Sequence, residues 1–195
     1  MQMIDKITLL KKINKAFFTI SDFQKILKLK PESVKKALSR MIKKGVIRRF
    51  GRNVYVLADK GVDIQQIASQ LYAPGAYISF ESALSAYGII NQVPYTVTMA
   101  TYKSPKTRPF LKAEIALRKI KKELFFGYKL IDNMLFAEPE KALLDTLYLR
   151  SKGLADLPWE ELNLIDISKK KFLAMSKKFP PVVQKEANRL AKKMK

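Results

Sequence analysis

Residues 31–57 read PESVKKALSRMIKKGVIRRFGRNVYVL: a proline-led stretch of helical spacing, a glycine, then two short apolar-rich runs around an arginine-bearing turn. Pro31 suits the first position of a helix, where its missing N–H costs nothing. Val34, Ala37, Leu38, Met41 and Ile42 then form one apolar stripe, with Ser33, Lys36, Ser39, Arg40 and Lys43 on the opposite face. Gly45 is the expected residue just past the helix end, so the helix runs from Pro31 to Lys44. Val46–Phe50 and Val54–Leu57 read as strands joined through Gly51-Arg52-Asn53. Two strands this short do not make a stable sheet alone, so they need a helical core to lean on.

The residues upstream supply it. Ile4, Ile7 and Leu10 share one helical face, with Leu9 and Ile13 as a second row, predicting a helix over 3–15. Ser21 followed by Gln24 has the spacing of a capping box, and Phe23, Ile26 and Leu27 give the next helix its buried side. Pro31 discourages a helical Lys30, which puts a tight turn at 28–30. Three helices followed by a β-ribbon is the order of a winged helix-turn-helix, expected over residues 1–58. In that architecture the third helix enters the major groove of B-DNA. Arg40 is suited to a guanine edge, Ser33 and Ser39 to bases or phosphates, and Lys36 and Lys43 to phosphates. Arg48, Arg49 and Arg52 near the ribbon tip are placed for the neighbouring backbone or minor groove.

A domain boundary is expected at ADKGVD, 58–63, with a second domain over 64–195. There a helix is predicted over 64–71, and another, FESALSAYG, capped by Ser79 and stopped by Gly88. Strands are predicted over 93–102, 114–120, 124–131 and 134–137. Pro139 opens a helix closed by Gly153, and two helical segments, about 168–178 and 181–194, flank Pro180-Pro181. The expected fold class is α+β: the winged head, a mixed α/β domain, and a basic helical tail over 166–195.

Net charge is +21, unevenly spread. Residues 1–57 hold 15 Lys and Arg against 3 Asp and Glu, residues 58–165 hold 13 against 12, and residues 166–195 hold 10 against 2. Two basic ends around a near-neutral middle point to a polyanionic partner, here double-stranded DNA. In the tail, Lys169, Lys170, Lys171, Lys177 and Lys178 are candidate accessory DNA contacts, with Lys185, Arg189, Lys192 and Lys193 on the next helix. The alternative is a solvated helix pair with Phe172, Met175 and Phe179 docked inward. The chain has no cysteine and no histidine, which removes disulfides, thiolate metal sites, the commonest zinc ligand and the commonest general base near neutral pH. No apolar run approaches the roughly 20 residues of a membrane span, and the N-terminal lysines are interleaved with apolar residues, unlike a signal peptide. A cytoplasmic, non-enzymatic protein with no cofactor, no metal and no membrane partner is expected.

The middle of the chain carries three distinctive words: YISFESALSAYGII (77–90), LFFGY (124–128) and FAEPEKALLDTLYL (136–149). EPEKALLD invites a nuclease reading through Glu138, Glu140 and Asp145 with magnesium, but three carboxylates at these spacings do not line up on one helical face. As a helix start it is self-consistent: proline first, acids at the positive end of the dipole, and Lys141–Asp145 as an i,i+4 pair, with Ala142, Leu143, Thr146 and Leu147 packing inward.

In this order and after a winged head, these words resemble the AbiEi family of antitoxins from bacterial type IV toxin–antitoxin systems, over essentially the whole chain. The resemblance implies a head that binds operator repeats and represses its own operon. It also implies a C-terminal domain that counteracts a nucleotidyltransferase-like toxin by opposing its effect, without a stable complex. A winged-helix regulator with no toxin partner and a protein-interaction adaptor are the alternatives.

Overall fold

Three helices lead the chain: α1 (Met3–Lys12), α2 (Ile20–Leu27) and α3 (Pro31–Lys43). The structure is a computed structural model. It describes all residues except 1, 2, 14, 60, 62, 111, 112, 158, 159 and 195, and also leaves out the side chains of residues 3, 4 and 6. Ile4, assigned above to the apolar face of α1, therefore lies outside the described side chains, as do Lys60 and Val62 of the expected boundary segment.

The cap of α2 differs from the sequence expectation. Its N-cap is Thr19, not Ser21, and the box partner is Asp22, not Gln24. The Asp22 amide donates to Thr19 Oγ1 at 3.1 Å, and the Thr19 amide donates back to Asp22 Oδ2 at 2.8 Å. Both frames have capping-box spacing, and the chosen one puts a charged acceptor on the orphan amide. It also sets Phe18, just before the cap, against Phe23 in the first turn, with ring centroids 5.7 Å apart. Lys28 then takes a left-handed conformation (φ 49°), and the Leu29 amide donates to the Gln24 carbonyl at 3.1 Å, making the tight turn ahead of Pro31.

Along α3, Val34, Leu38 and Met41 are buried, whereas Ile42, expected in the same stripe, is 40% exposed. Ile42 lies a full step around the helix from Met41, beyond the 34–38–41 line that meets the core. Gly45 (φ +66°) ends the helix: its amide donates to Ile42 and that of Val46 to Met41, both at 2.9 Å. These are the paired bonds of a glycine-terminated helix. β1 (Ile47–Gly51) and β2 (Val54–Leu57) follow as an antiparallel pair with a register shift between Arg49 and Gly51. Phe18 bridges Tyr55 from outside the ribbon through bonds of 2.8 and 3.0 Å. One core serves these elements, built from Leu10, Phe18, Phe23, Leu27, Val34, Leu38, Met41, Ile47, Tyr55 and Leu57.

The chain divides into two compact units, Met1–Ile67 and Ala68–Lys195, the division falling inside α4 (Ile64–Tyr72) rather than at 58–63. The second unit holds a six-stranded mixed sheet. Its strands are β3 (Ala76–Ile78), β4 (Thr96–Thr101), β5 (Lys106–Phe110), β6 (Ala113–Lys119), β7 (Tyr128–Ile131) and β8 (Met134–Ala137), in the order β5-β6-β4-β3-β8-β7. The β4–β6 and β3–β8 pairs are parallel and the others antiparallel. Its helices are α5 (Phe80–Ala86), α6 (Pro139–Arg150), α7 (Lys169–Ser176) and α8 (Pro181–Ala191). Among the described residues the protein is thus a mixed α+β chain with eight α-helices and two sheets.

Four features of this unit depart from the sequence expectation. β3 and β5 were not expected, and residues 124–127 are not strand: a 3-10 turn, Lys122–Leu124, and irregular chain precede β7. Ser79 sits at the N-cap position of α5, but its side chain makes no cap. The helix α6 is buried along nearly its whole length, Glu140 through Leu149. Ala142, Leu143, Thr146 and Leu147 are buried as expected, but so are Lys141 and Asp145, both fully.

Candidate nucleic-acid interface

The α3 face opposite the core carries Ser33, Lys36, Ser39, Arg40 and Lys43, all exposed. None of these side chains hydrogen-bonds or ion-pairs with another described residue, so all five are available to a ligand. Lys43 follows Lys36 by seven positions, which spaces them about 10 Å along one stripe.

The three arginines of the ribbon are not equivalent. Arg48 and Arg49 are successive strand residues and leave opposite faces of the ribbon. Arg48 donates from Nη2 to the Ala58 carbonyl at 2.9 Å and lies 5.6 Å from the Phe50 ring centre. Arg49 donates from Nε to the Gly51 carbonyl at 3.2 Å. Arg52, in the turn, is exposed and makes no hydrogen bond or ion pair with a described residue. The next residue, Asn53, is left-handed (φ 63°) and accepts the Ile20 amide on Oδ1 at 2.8 Å.

The start of α2 is held by a local ion pair as well. Lys15 donates to Asp22 Oδ1 at 2.7 Å. Burial alone would raise the Asp22 pKa, but the bonds from Lys15 and from the Thr19 amide and hydroxyl outweigh it, and the carboxyl is held below its ordinary 3.8.

The tail lysines separate into two kinds. Lys171 is tied inward, 2.8 Å from Glu138 Oε1 and 3.4 Å from Glu140 Oε2, and its pKa is raised, chiefly by the Glu138 bond. Lys169 donates to the Met194 carbonyl at 3.3 Å, and Lys178 lies 4.4 Å over the Phe126 ring. Lys170 and Lys177 are exposed, with no side-chain partner among the described residues. Phe172 and Phe179 are buried and Met175 is half-buried, so the apolar side of the tail docks inward.

In the second unit the three distinctive words meet at one buried polar point that was not recognised in the sequence. Lys141 and Asp145 form a fully buried ion pair. Asp145 Oδ2 accepts Tyr77 OH and Ser79 Oγ, each at 2.9 Å, and Lys141 Nζ donates to Tyr77 OH at 2.8 Å. The rings of Tyr77, Phe126 and Phe179 surround the ammonium at 5.4, 5.1 and 5.3 Å from their centres. Gly127 (φ +71°) lies against the lysine stem, where a Cβ would come within 3.1 Å of Lys141 Cγ. Burial pushes the Lys141 pKa down against the pull of Asp145, and pushes that of Asp145 up against its three donors. Burial and the Asp145 charge raise Tyr77 well above its ordinary value. The sequence signal for this cluster is a Lys–Asp pair at the head of KALLDTLYL (141–149), a run otherwise almost without charge.

The three carboxylates of the nuclease reading do not converge. Glu138 and Glu140 hold Lys171, while Asp145 faces Lys141, Tyr77 and Ser79. Among the described residues no group of three His, Cys, Asp or Glu is placed to hold a metal ion, and no helix is long and apolar enough to cross a membrane. No family model matches this chain, and no curated protein matches it.

Proposed function

We propose that this protein is a DNA-binding transcriptional autorepressor whose first unit is a winged helix-turn-helix head. The single observation that carries the reading is the cationic face of α3, Lys36, Arg40 and Lys43 with Ser33 and Ser39, turned away from the core and unpartnered among the described residues. A helix with its apolar side docked and its basic side open fits the major groove, where arginine reads guanine and lysines hold phosphates. The ribbon adds cations beside it, Arg52 foremost. The exposed tail residues Lys170 and Lys177 are candidate accessory contacts, while Lys171 is committed to Glu138 and Glu140.

The second unit is proposed to act as the antitoxin domain of a type IV system, opposing a nucleotidyltransferase-like toxin. Support for this comes from the words at 77–90, 124–128 and 136–149, which meet around Lys141 and Asp145. The expected partners are double-stranded operator repeats and, as a functional partner without a stable complex, a nucleotidyltransferase-like toxin, in the cytoplasm.

Two assays test the reading. In gel shifts with DNA from upstream of its own gene, the chain should prefer that DNA over scrambled sequence, and Arg40→Ala should weaken binding by about 1–3 kcal/mol and relax the preference. Co-expression with a nucleotidyltransferase-like toxin of a type IV system should restore the growth of cells that the toxin arrests. Equal binding to any polyanion, heparin included, contradicts the repressor assignment.

A further inference from the structure

We propose that Asn53 is a positioning residue for nucleic-acid binding, locking the ribbon tip to the start of α2 so that Arg52 is held at a fixed place for a phosphate. The proposal rests on the DNA-binding reading above. Its basis is one bond that spans 33 residues of chain: the Ile20 amide donates to Asn53 Oδ1 at 2.8 Å. Ile20 is the first residue of α2, so its N–H is one of the helix's orphan donors and is satisfied only from outside the helix. Asn53 reaches it from a left-handed turn position (φ 63°) that asparagine adopts more readily than most side chains. The Phe18–Tyr55 bridge ties the same two segments together two residues further along. The tip is therefore fastened to the helical core at two points, and Arg52 is the residue between β1 and Asn53.

The local chemistry also assigns the phosphate contact to Arg52 rather than to the start of α2. The Ile20 amide is used by Asn53, and the Asp22 amide by Thr19 Oγ1. The Asp22 carboxylate already occupies that end, bonded by the Thr19 amide and paired with Lys15. Arg48 and Arg49 already bond the main-chain carbonyls of Ala58 and Gly51, whereas the Arg52 guanidinium is unengaged by the described residues. A long side chain on a swinging tip forfeits affinity to ordering entropy, and a fastened tip avoids that loss.

The test is a pair of double-mutant cycles in the full chain, read as affinity for a duplex carrying the upstream sequence at fixed salt. Asn53→Gly keeps the left-handed turn and removes the acceptor. Ile20→Pro removes the donor instead, at a helix position where proline is tolerated, after a Thr19 that is already extended. In the native background Arg52→Ala should weaken binding about tenfold and make the salt slope shallower by about one. In either lock-free background the same change should cost less than about twofold. A merely structural role for Asn53 would lower the affinity of N53G yet leave the cost of R52A unchanged, and that result overturns the proposal while the DNA-binding reading stands. Absence of salt-dependent duplex binding by the unaltered chain overturns both.

Discussion

Lys141 and Asp145 are the residues whose context changes their meaning most. At i,i+4 on an exposed helix such a pair contributes a few tenths of a kcal/mol, about 0.3–0.5. Here both are fully buried, and the carboxylate takes hydrogen bonds from Tyr77 and Ser79 besides. Desolvating two ions offsets most of their attraction, so the intact cluster is a weak net source of stability. Breaking it leaves a buried, unmatched ammonium. Asp145→Ala should destabilise the second unit by about 3–5 kcal/mol, read as a fall in the urea midpoint at unchanged slope. A loss under about 1 kcal/mol would mean that water reaches the site. Spacing alone did not reveal this cluster, because nothing in a Lys-x-x-x-Asp step distinguishes a solvated pair from an enclosed one. The informative sign was the apolar run around it. The same limit applies to Thr19 and Ser21, two hydroxyl residues in overlapping capping frames, where Phe18 against Phe23 decides the frame and only the fold brings them together.

At the scale of elements, legibility followed how much local chemistry each one carries. α3 was bounded in the sequence by Pro31 and Gly45 because backbone geometry at those points admits few other residues. β5 was missed because its residues, KTRPF, are exposed but for Phe110, and a polar edge strand containing proline reads as loop. β3 was missed because three residues directly before a helix offer no periodicity to see. The start of α2 yields a pH prediction. The folded pKa of Asp22 lies below its unfolded value of 3.8, so the cap's contribution is complete above 3.8 and is lost as pH falls through the lower folded value. Between about pH 5 and about pH 2 the melting temperature of the head should therefore drop more steeply for the native chain than for Asp22→Asn, which has lost about 1 kcal/mol already at neutral pH. Parallel acid profiles for the two proteins would show that the cap carries no linkage.

Across the whole molecule, charge is the most legible property and the one with the widest consequence. The excess of +21 lies at the two ends of the chain and leaves the middle nearly neutral, and the candidate interface falls in the first of those ends. The division inside α4 could not be read from composition, since that helix is regular on both sides of it. What the sequence did carry was the inventory of α3, because a side chain's face on a helix follows from its spacing, and all five outward residues are exposed. In the ribbon, by contrast, three arginines looked alike until Arg48 and Arg49 were found bonded to main-chain carbonyls. The central claim is that this cationic face grips duplex phosphates. Its most direct test is the affinity of the full chain for its upstream DNA as a function of salt. With five or six phosphates neutralised, log affinity should fall against log salt with a slope of about −5. A slope near zero would contradict the account.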